Sequence, residues 1–170
     1  MNLDLREFDS FPAKATLEYE PDGFDYEADG IRLKERIRVN LTLQEVGEEY
    51  FGQAFVRASV EEECSRCLTL FDGELSGRFS FIVKVGEGKS ALSEGESDES
   101  VIHLEPGAHV VDLSEVIREA LILAIPIKPL CSPDCKGLCP VCGANLNEET
   151  CDCKSEKVDE RWEGLSGLLE

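Results

Sequence analysis

Eight cysteines at short, regular spacings constrain this chain more than any other feature. Six lie between Cys131 and Cys153, and two stand far upstream as Cys64-Ser-Arg-Cys67. The downstream run reads Cys131-x3-Cys135-x3-Cys139-x2-Cys142-x8-Cys151-x-Cys153. Together the eight thiols fill two four-thiolate metal sites with none left over. Zn²⁺ takes four soft ligands in a tetrahedron, and short loops bearing paired cysteines supply them. A dithiol redox centre would use one pair only. Disulfides persist mainly in secreted chains, and the opening Met-Asn-Leu-Asp-Leu-Arg carries no apolar signal segment, so a cytoplasmic zinc protein is expected. Iron–sulfur ligation by the same thiols is the lesser alternative.

The ligands divide by spacing. Cys139-Pro-Val-Cys142-Gly143 has the form of a zinc knuckle, in which a glycine after the second cysteine permits the tight turn that aims backbone N–H groups at the sulfurs. Cys151-Asp-Cys153 is the nearest second pair, about one short hairpin away, and Asn145 and Asn147 suit that connection. Cys131 and Cys135 then join Cys64 and Cys67 in a site that staples segments more than 60 residues apart. The alternative sets Cys131 and Cys135 with Cys139 and Cys142, leaving Cys151 and Cys153 for Cys64 and Cys67. Spacing favours the first division. The expected cofactor is Zn²⁺ in two structural four-cysteine sites.

A net charge of −19 on 170 residues narrows the partners. Such a surface repels phosphate backbones, whereas autonomous nucleic-acid binding depends on basic residues that release counterions. Direct nucleic-acid binding is therefore expected to be weak, and basic proteins are the natural partners. No stretch of about 18 apolar residues exists to span a membrane. The longest apolar run, Leu121 to Ile127, is broken by Pro126.

Hydrophobic periodicity predicts an α+β fold: an antiparallel β-meander sheet of barrel-like character, with one packed helix and a C-terminal cysteine-rich zinc-binding module. Residues 1–30 scatter aromatic residues around a turn at Pro21-Asp22-Gly23 and predict one or two short strands. Ile31, Leu33, Ile37, Val39, Leu41 and Leu43 all fall at odd positions between polar residues, the period of a strand with one wet face. A turn at Val46-Gly47-Glu48-Glu49 leads to a second strand over Tyr50 to Glu62. A third follows around Phe79, Phe81, Val83 and Val85, with Cys64 and Cys67 at the turn between them. Residues 86–100 have almost no apolar content and are expected to form a mobile acidic loop. Val101 to Leu104 predicts another strand. Asp112 and Glu115 form a capping box for a helix whose apolar stripe is Leu113, Val116, Ile117, Ala120, Leu121 and Ala124. Pro126 and Pro129 stop it. The expected domains are a sheet–helix domain over 1–130, a zinc module over 131–154, and a tail over 155–170 with a short helix near Arg161-Trp162.

No catalytic constellation stands out, and the chain is not expected to be an enzyme. Cys64-Ser-Arg-Cys67 could be a redox dithiol with Arg66 lowering a thiol pKa. Redox motifs of that type open a helix in a βαβ unit, however, and here the surroundings read as strand and turn. Four thiolates also close a zinc site against substrate. His103 and His109 flank the Gly107 turn without a nearby nucleophile. The basic strand positions Arg32, Lys34, Arg36 and Arg38 read as a solvated face.

Taken together, Cys-Ser-Arg-Cys-Leu (64–68), Val-Asp-Leu-Ser-Glu (111–115), Glu-Ala-Leu-Ile-Leu-Ala-Ile-Pro-Ile-Lys-Pro-Leu-Cys (119–131), Cys-Lys-Gly-Leu-Cys-Pro-Val-Cys-Gly-Ala-Asn-Leu-Asn (135–147), Cys-Asp-Cys and the terminal Asp-Glu-Arg-Trp-Glu-Gly-Leu resemble the YceD-like family of large ribosomal RNA subunit accumulation proteins. Asp159-Glu160-Arg161 departs slightly from the family's usual Asp-Pro-Arg. The resemblance implies a role in accumulation of large-subunit (23S) rRNA and ribosome biogenesis, and no enzyme activity. It also favours the long-range division of ligands, because some relatives lack the downstream cysteine group yet keep the upstream pair and metal-capable residues resembling positions 131 and 135. With the charge, it points to a basic large-subunit ribosomal protein or an rRNA-maturation factor as partner. The alternative function is a thiol redox or zinc-handling protein serving a zinc-bearing ribosomal protein.

Overall fold

A computed structural model describes residues 1–21, 32–86, 93–94 and 100–153. The order is β1 (Asn2–Asp4), a 3-10 turn (Leu5–Glu7), β2 (Ala13–Tyr19), β3 (Arg32–Leu33), β4 (Ile37–Val46), β5 (Glu49–Glu63), β6 (Leu70–Val85), β7 (Ser93–Glu94), β8 (Ser100–Leu104), β9 (Val110–Asp112) and α1 (Ser114–Leu123).

The expected alternation holds in β4: Ile37, Val39, Leu41 and Leu43 are buried, while Arg38, Asn40 and Gln44 are exposed or nearly so. Gly47, at φ +67°, supplies the left-handed residue that a two-residue hairpin loop between β4 and β5 requires. β5 and β6 then pair antiparallel without interruption from Glu49↔Lys84 to Glu63↔Leu70. At roughly 3.3 Å per residue this hairpin is about 50 Å long, and the Cys64–Cys67 turn sits at its far end.

Two expectations need correction. The sheet order is β2-β4-β5-β6-β8-β7, with β3 on β5, and it is open rather than barrel-like. Nor is it a pure meander, because β8 runs parallel to β6 from Phe81↔Ser100 to Val85↔Leu104. A parallel neighbour needs a crossover instead of a turn, and the chain between Val85 and Ser100 is long enough to provide one. The acidic segment assigned to 86–100 lies outside the described residues except for Gly86, β7 and Ser100. The Phe24–Tyr26 segment and the terminal helix near Trp162 lie outside them as well.

β1 pairs with β9 in a separate two-stranded ribbon, which buries Leu3 against Val111. The helix follows directly. Its buried positions, Val116, Ile117, Ala120 and Leu121, lie on one stripe with Leu113 as expected. The capping box does not form. Asp112 is held extended as the last residue of β9, opposite Asn2, so the helix begins later, with Leu113 at its N-cap and no side-chain cap bond there. The Asp112 carboxylate still accepts the Ser114 backbone N–H at 2.9 Å, and Glu115 sits in the first turn. The helix lies across β6 so closely that a Cβ on Gly77 would stand 2.6 Å from the Ala120 carbonyl oxygen. After Leu123 the prolines extend the chain toward Cys131.

Candidate metal centre

The turn between β5 and β6 holds Cys64 and Cys67 side by side. Cys64 N–H donates to the Thr69 carbonyl (3.0 Å) and Leu68 N–H to the Cys64 carbonyl (2.9 Å). Leu68 closes the loop at φ +57°, a conformation few side chains adopt. Both sulfurs of this turn are buried. The linker after α1 is tied beside it by Ser65 N–H donating to the Pro129 carbonyl at 2.8 Å. That bond delivers Cys131 and Cys135 to the upstream pair. Cys64 Sγ lies 3.8 Å from Cys135 Sγ, and Cys67 Sγ lies 3.6 Å from Cys131 Sγ. All four sulfurs fall within 4.8 Å of one another. A cation about 2.3 Å from each sulfur would have tetrahedron edges of about 3.8 Å, so the spacing fits one ion. It leaves no room for a multi-iron cluster.

The second group, Cys139, Cys142, Cys151 and Cys153, likewise has its sulfurs within 4.8 Å. Gly143 at φ +75° lets its N–H turn back to the Cys139 carbonyl (2.9 Å), and Val141 N–H points at Cys139 Sγ (3.5 Å). Cys139 is buried, whereas Cys142 and Cys153 are exposed. All eight cysteines are free thiols, and they assemble in the long-range division favoured from spacing.

The thiols differ in proton affinity for local reasons. The Cys131 backbone N–H, with the amides of Cys67 and Arg66, holds Cys64 down to about 6. The Thr69 hydroxyl and amide lower Cys67. In the second group the amides of Cys142 and Val141 hold Cys139 at about 6. Loss of solvent, followed by the sulfurs of Cys67 and Cys135, pushes Cys131 up to about 12, and the Cys142 sulfur does the same to Cys153. Cys139 raises Cys151. In each group N–H donors favour the thiolate at some sulfurs while lost solvent and neighbouring sulfurs oppose it at others, an opposition that a bound cation would relieve.

A family model described as large ribosomal RNA subunit accumulation protein YceD matches residues 53–169. The chain belongs to the YceD family. Among relatives, an uncharacterized protein of Mycobacterium tuberculosis is 31% identical over 134 residues, 77% of this chain and 61% of its own length. An uncharacterized protein of Mycobacterium leprae is 29% identical over 133 residues, 78% of this chain and 59% of its own. The chain thus spans about three fifths of the length of these relatives. The large ribosomal RNA subunit accumulation protein YCED homolog 1, chloroplastic, of Arabidopsis thaliana is 40% identical over 72 residues, 42% of this chain and 22% of its own. No solved structure matches the chain.

In this YceD-family chain the Arg66 guanidinium binds a backbone carbonyl rather than a sulfur. Its Nη1 donates to the Cys135 carbonyl at 2.8 Å, and its own carbonyl accepts Leu138 N–H at 3.2 Å, so it clamps the downstream segment to the turn. Gly137, at φ +76°, allows that approach. Asn147 Nδ2 donates to Cys135 Sγ at 3.3 Å, a contact that nothing in its spacing announced. His103 lies on β8 and His109 just before β9, and neither belongs to a thiol group among the described residues. Among those residues, no helix is long and apolar enough to cross a membrane.

Proposed function

We propose that each thiol group holds one structural Zn²⁺. We further propose that the protein is a non-enzymatic factor supporting accumulation of 23S rRNA, acting by binding a basic large-subunit ribosomal protein or rRNA-maturation factor. Family membership over residues 53–169 carries the rRNA role. The sulfur spacing and a closed four-thiolate sphere support zinc in a structural role, since catalytic zinc keeps an open position. The charge of −19 supports a basic partner, because complementary potentials speed encounter and exclude wrong partners.

Capture of the tagged protein from native lysate at low salt tests this reading. Recovery of large-subunit ribosomal proteins or precursor rRNA, lost as salt rises, is the expected result. Recovery insensitive to salt between about 50 and 300 mM would remove the electrostatic mechanism, because the Debye length shrinks severalfold over that range. The exposure of Cys142 and Cys153 favours one competing reading, a zinc-handling protein. In that case thiol enzymes or metal-trafficking proteins would be captured instead.

A further inference from the structure

The hairpin that connects the two halves of the second thiol group lies on the first group. Asn147 stands between Cys142 and Cys151, yet its side chain serves Cys135. Its Oδ1 accepts Lys136 N–H at 2.8 Å, which fixes the amide orientation and leaves Nδ2 facing Cys135 Sγ at 3.3 Å. The same Nδ2 also donates to Asn145 Oδ1 at 2.8 Å, and Asn145 Oδ1 accepts the Asn147 backbone N–H at 3.1 Å. Asn145 in turn reaches Thr69 Oγ1 at 3.4 Å, on the turn that carries Cys64 and Cys67. Leu146 N–H donates to the Gly137 carbonyl at 2.9 Å and completes the attachment.

We propose that Asn147 is a positioning residue that couples metal binding at the two groups, so that an ion at Cys139/Cys142/Cys151/Cys153 tightens the ion at Cys64/Cys67/Cys131/Cys135. The inference rests on the reading that both groups hold a metal. Without the second ion, weak contacts between the sulfurs are what tie Cys151 and Cys153 to the Cys139 knuckle among the described residues, and the hairpin must bear most of its own ordering entropy. Asn147 is then presented to Cys135 only part of the time. With the ion bound, the hairpin is closed at its base and the N–H···S bond is permanent. Outer-shell hydrogen bonds of this kind are worth 10–100-fold in metal affinity. Coupling between binding sites is reciprocal, so the first ion tightens the second by the same factor. Direction of control follows from exposure. One ligand of the first group, Cys131, is exposed, against Cys142 and Cys153 of the second, so the more exposed second group exchanges first and its loss loosens the first.

The test uses the full chain, prepared metal-free and titrated anaerobically with Co²⁺ against a competing chelator, followed by thiolate-to-cobalt absorption. Wild type is compared with Asn147→Ala, with the isosteric Asn147→Asp, which keeps the acceptor for Lys136 N–H but cannot donate to sulfur, and with Cys151→Ser/Cys153→Ser. The last is also combined with Asn147→Ala. Each change is expected to weaken the first group by about 10–100-fold, and the combined variant should be no weaker than Cys151→Ser/Cys153→Ser alone. Circular dichroism separates this from unfolding, and retained affinity in a folded Asn147→Asp protein would overturn the inference. Strictly additive losses, or first-group affinities within about twofold of wild type, would overturn it too. A wild-type chain that takes up fewer than two ions defeats the metal reading and the inference together. Two ions with unaffected variants defeat the inference alone.

Discussion

Replacing Gly77 with alanine tests whether the helix is seated on the sheet as described. The added Cβ would meet the Ala120 carbonyl oxygen at 2.6 Å, its carbon at 3.1 Å and the Ala120 side chain at 3.4 Å. The first two are helix backbone and cannot rotate away. Ordinary contact begins near 3.4 Å, so α1 must retreat by about 0.8 Å from β6. Overpacking of this kind costs about 1–3 kcal/mol. Against it stands the gain from removing a glycine from the unfolded chain, about 0.4–1 kcal/mol. The clash wins, and a net loss of about 1–2 kcal/mol should lower the melting temperature by roughly 2–8 °C for a chain of this size. Gly73 on the same strand is the internal control. A Cβ there would meet the Glu62 carboxylate, the tip of a flexible side chain, so Gly73→Ala should be neutral or slightly stabilising. Urea unfolding of both variants decides the matter. Gly77→Ala as stable as wild type, or Gly73→Ala as damaging as Gly77→Ala, would refute the packing argument.

Three further outcomes follow from particular contacts. In the metal-free chain Cys64 and Cys139 are held near 6, whereas Cys131 and Cys153 are pushed up to about 12, so metal uptake must expel protons. Apparent affinity should therefore fall as pH falls, and more steeply below about 6, where Cys64 and Cys139 also become protonated; chelator competition across that range would show it, and a pH-independent affinity would contradict it. Ile117→Ala empties a fully buried position and should cost about 2–5 kcal/mol in urea unfolding. Asp112→Ala removes the acceptor for Ser114 N–H at the start of α1 and should cost about 1 kcal/mol in the same assay.

Local periodicity made much of the fold legible. Odd-position burial in β4, the Gly47 hairpin and the apolar stripe of α1 all depend on neighbours within one element, and each was readable. The parallel placement of β8 was not, because Val101 to Leu104 has the same pattern whichever way it pairs. Asp112 misled for a related reason: its pairing with Asn2, more than a hundred residues away, holds it in a strand. In the candidate site, counting thiols in fours brought the right cysteines together, since short loops limit which sulfurs can meet. The roles of Arg66 and Asn147 came only from the fold. Their bonds to Cys135 exist because the linker after α1 folds back on the β5–β6 turn.

The most direct test of the account is the ratio of large- to small-subunit rRNA in cells depleted of the protein and re-supplied with wild type or Cys64→Ser/Cys67→Ser. The account predicts that depletion lowers the ratio, that wild type restores it, and that the double variant does not. An unchanged ratio on depletion, or full restoration by the double variant, would contradict it.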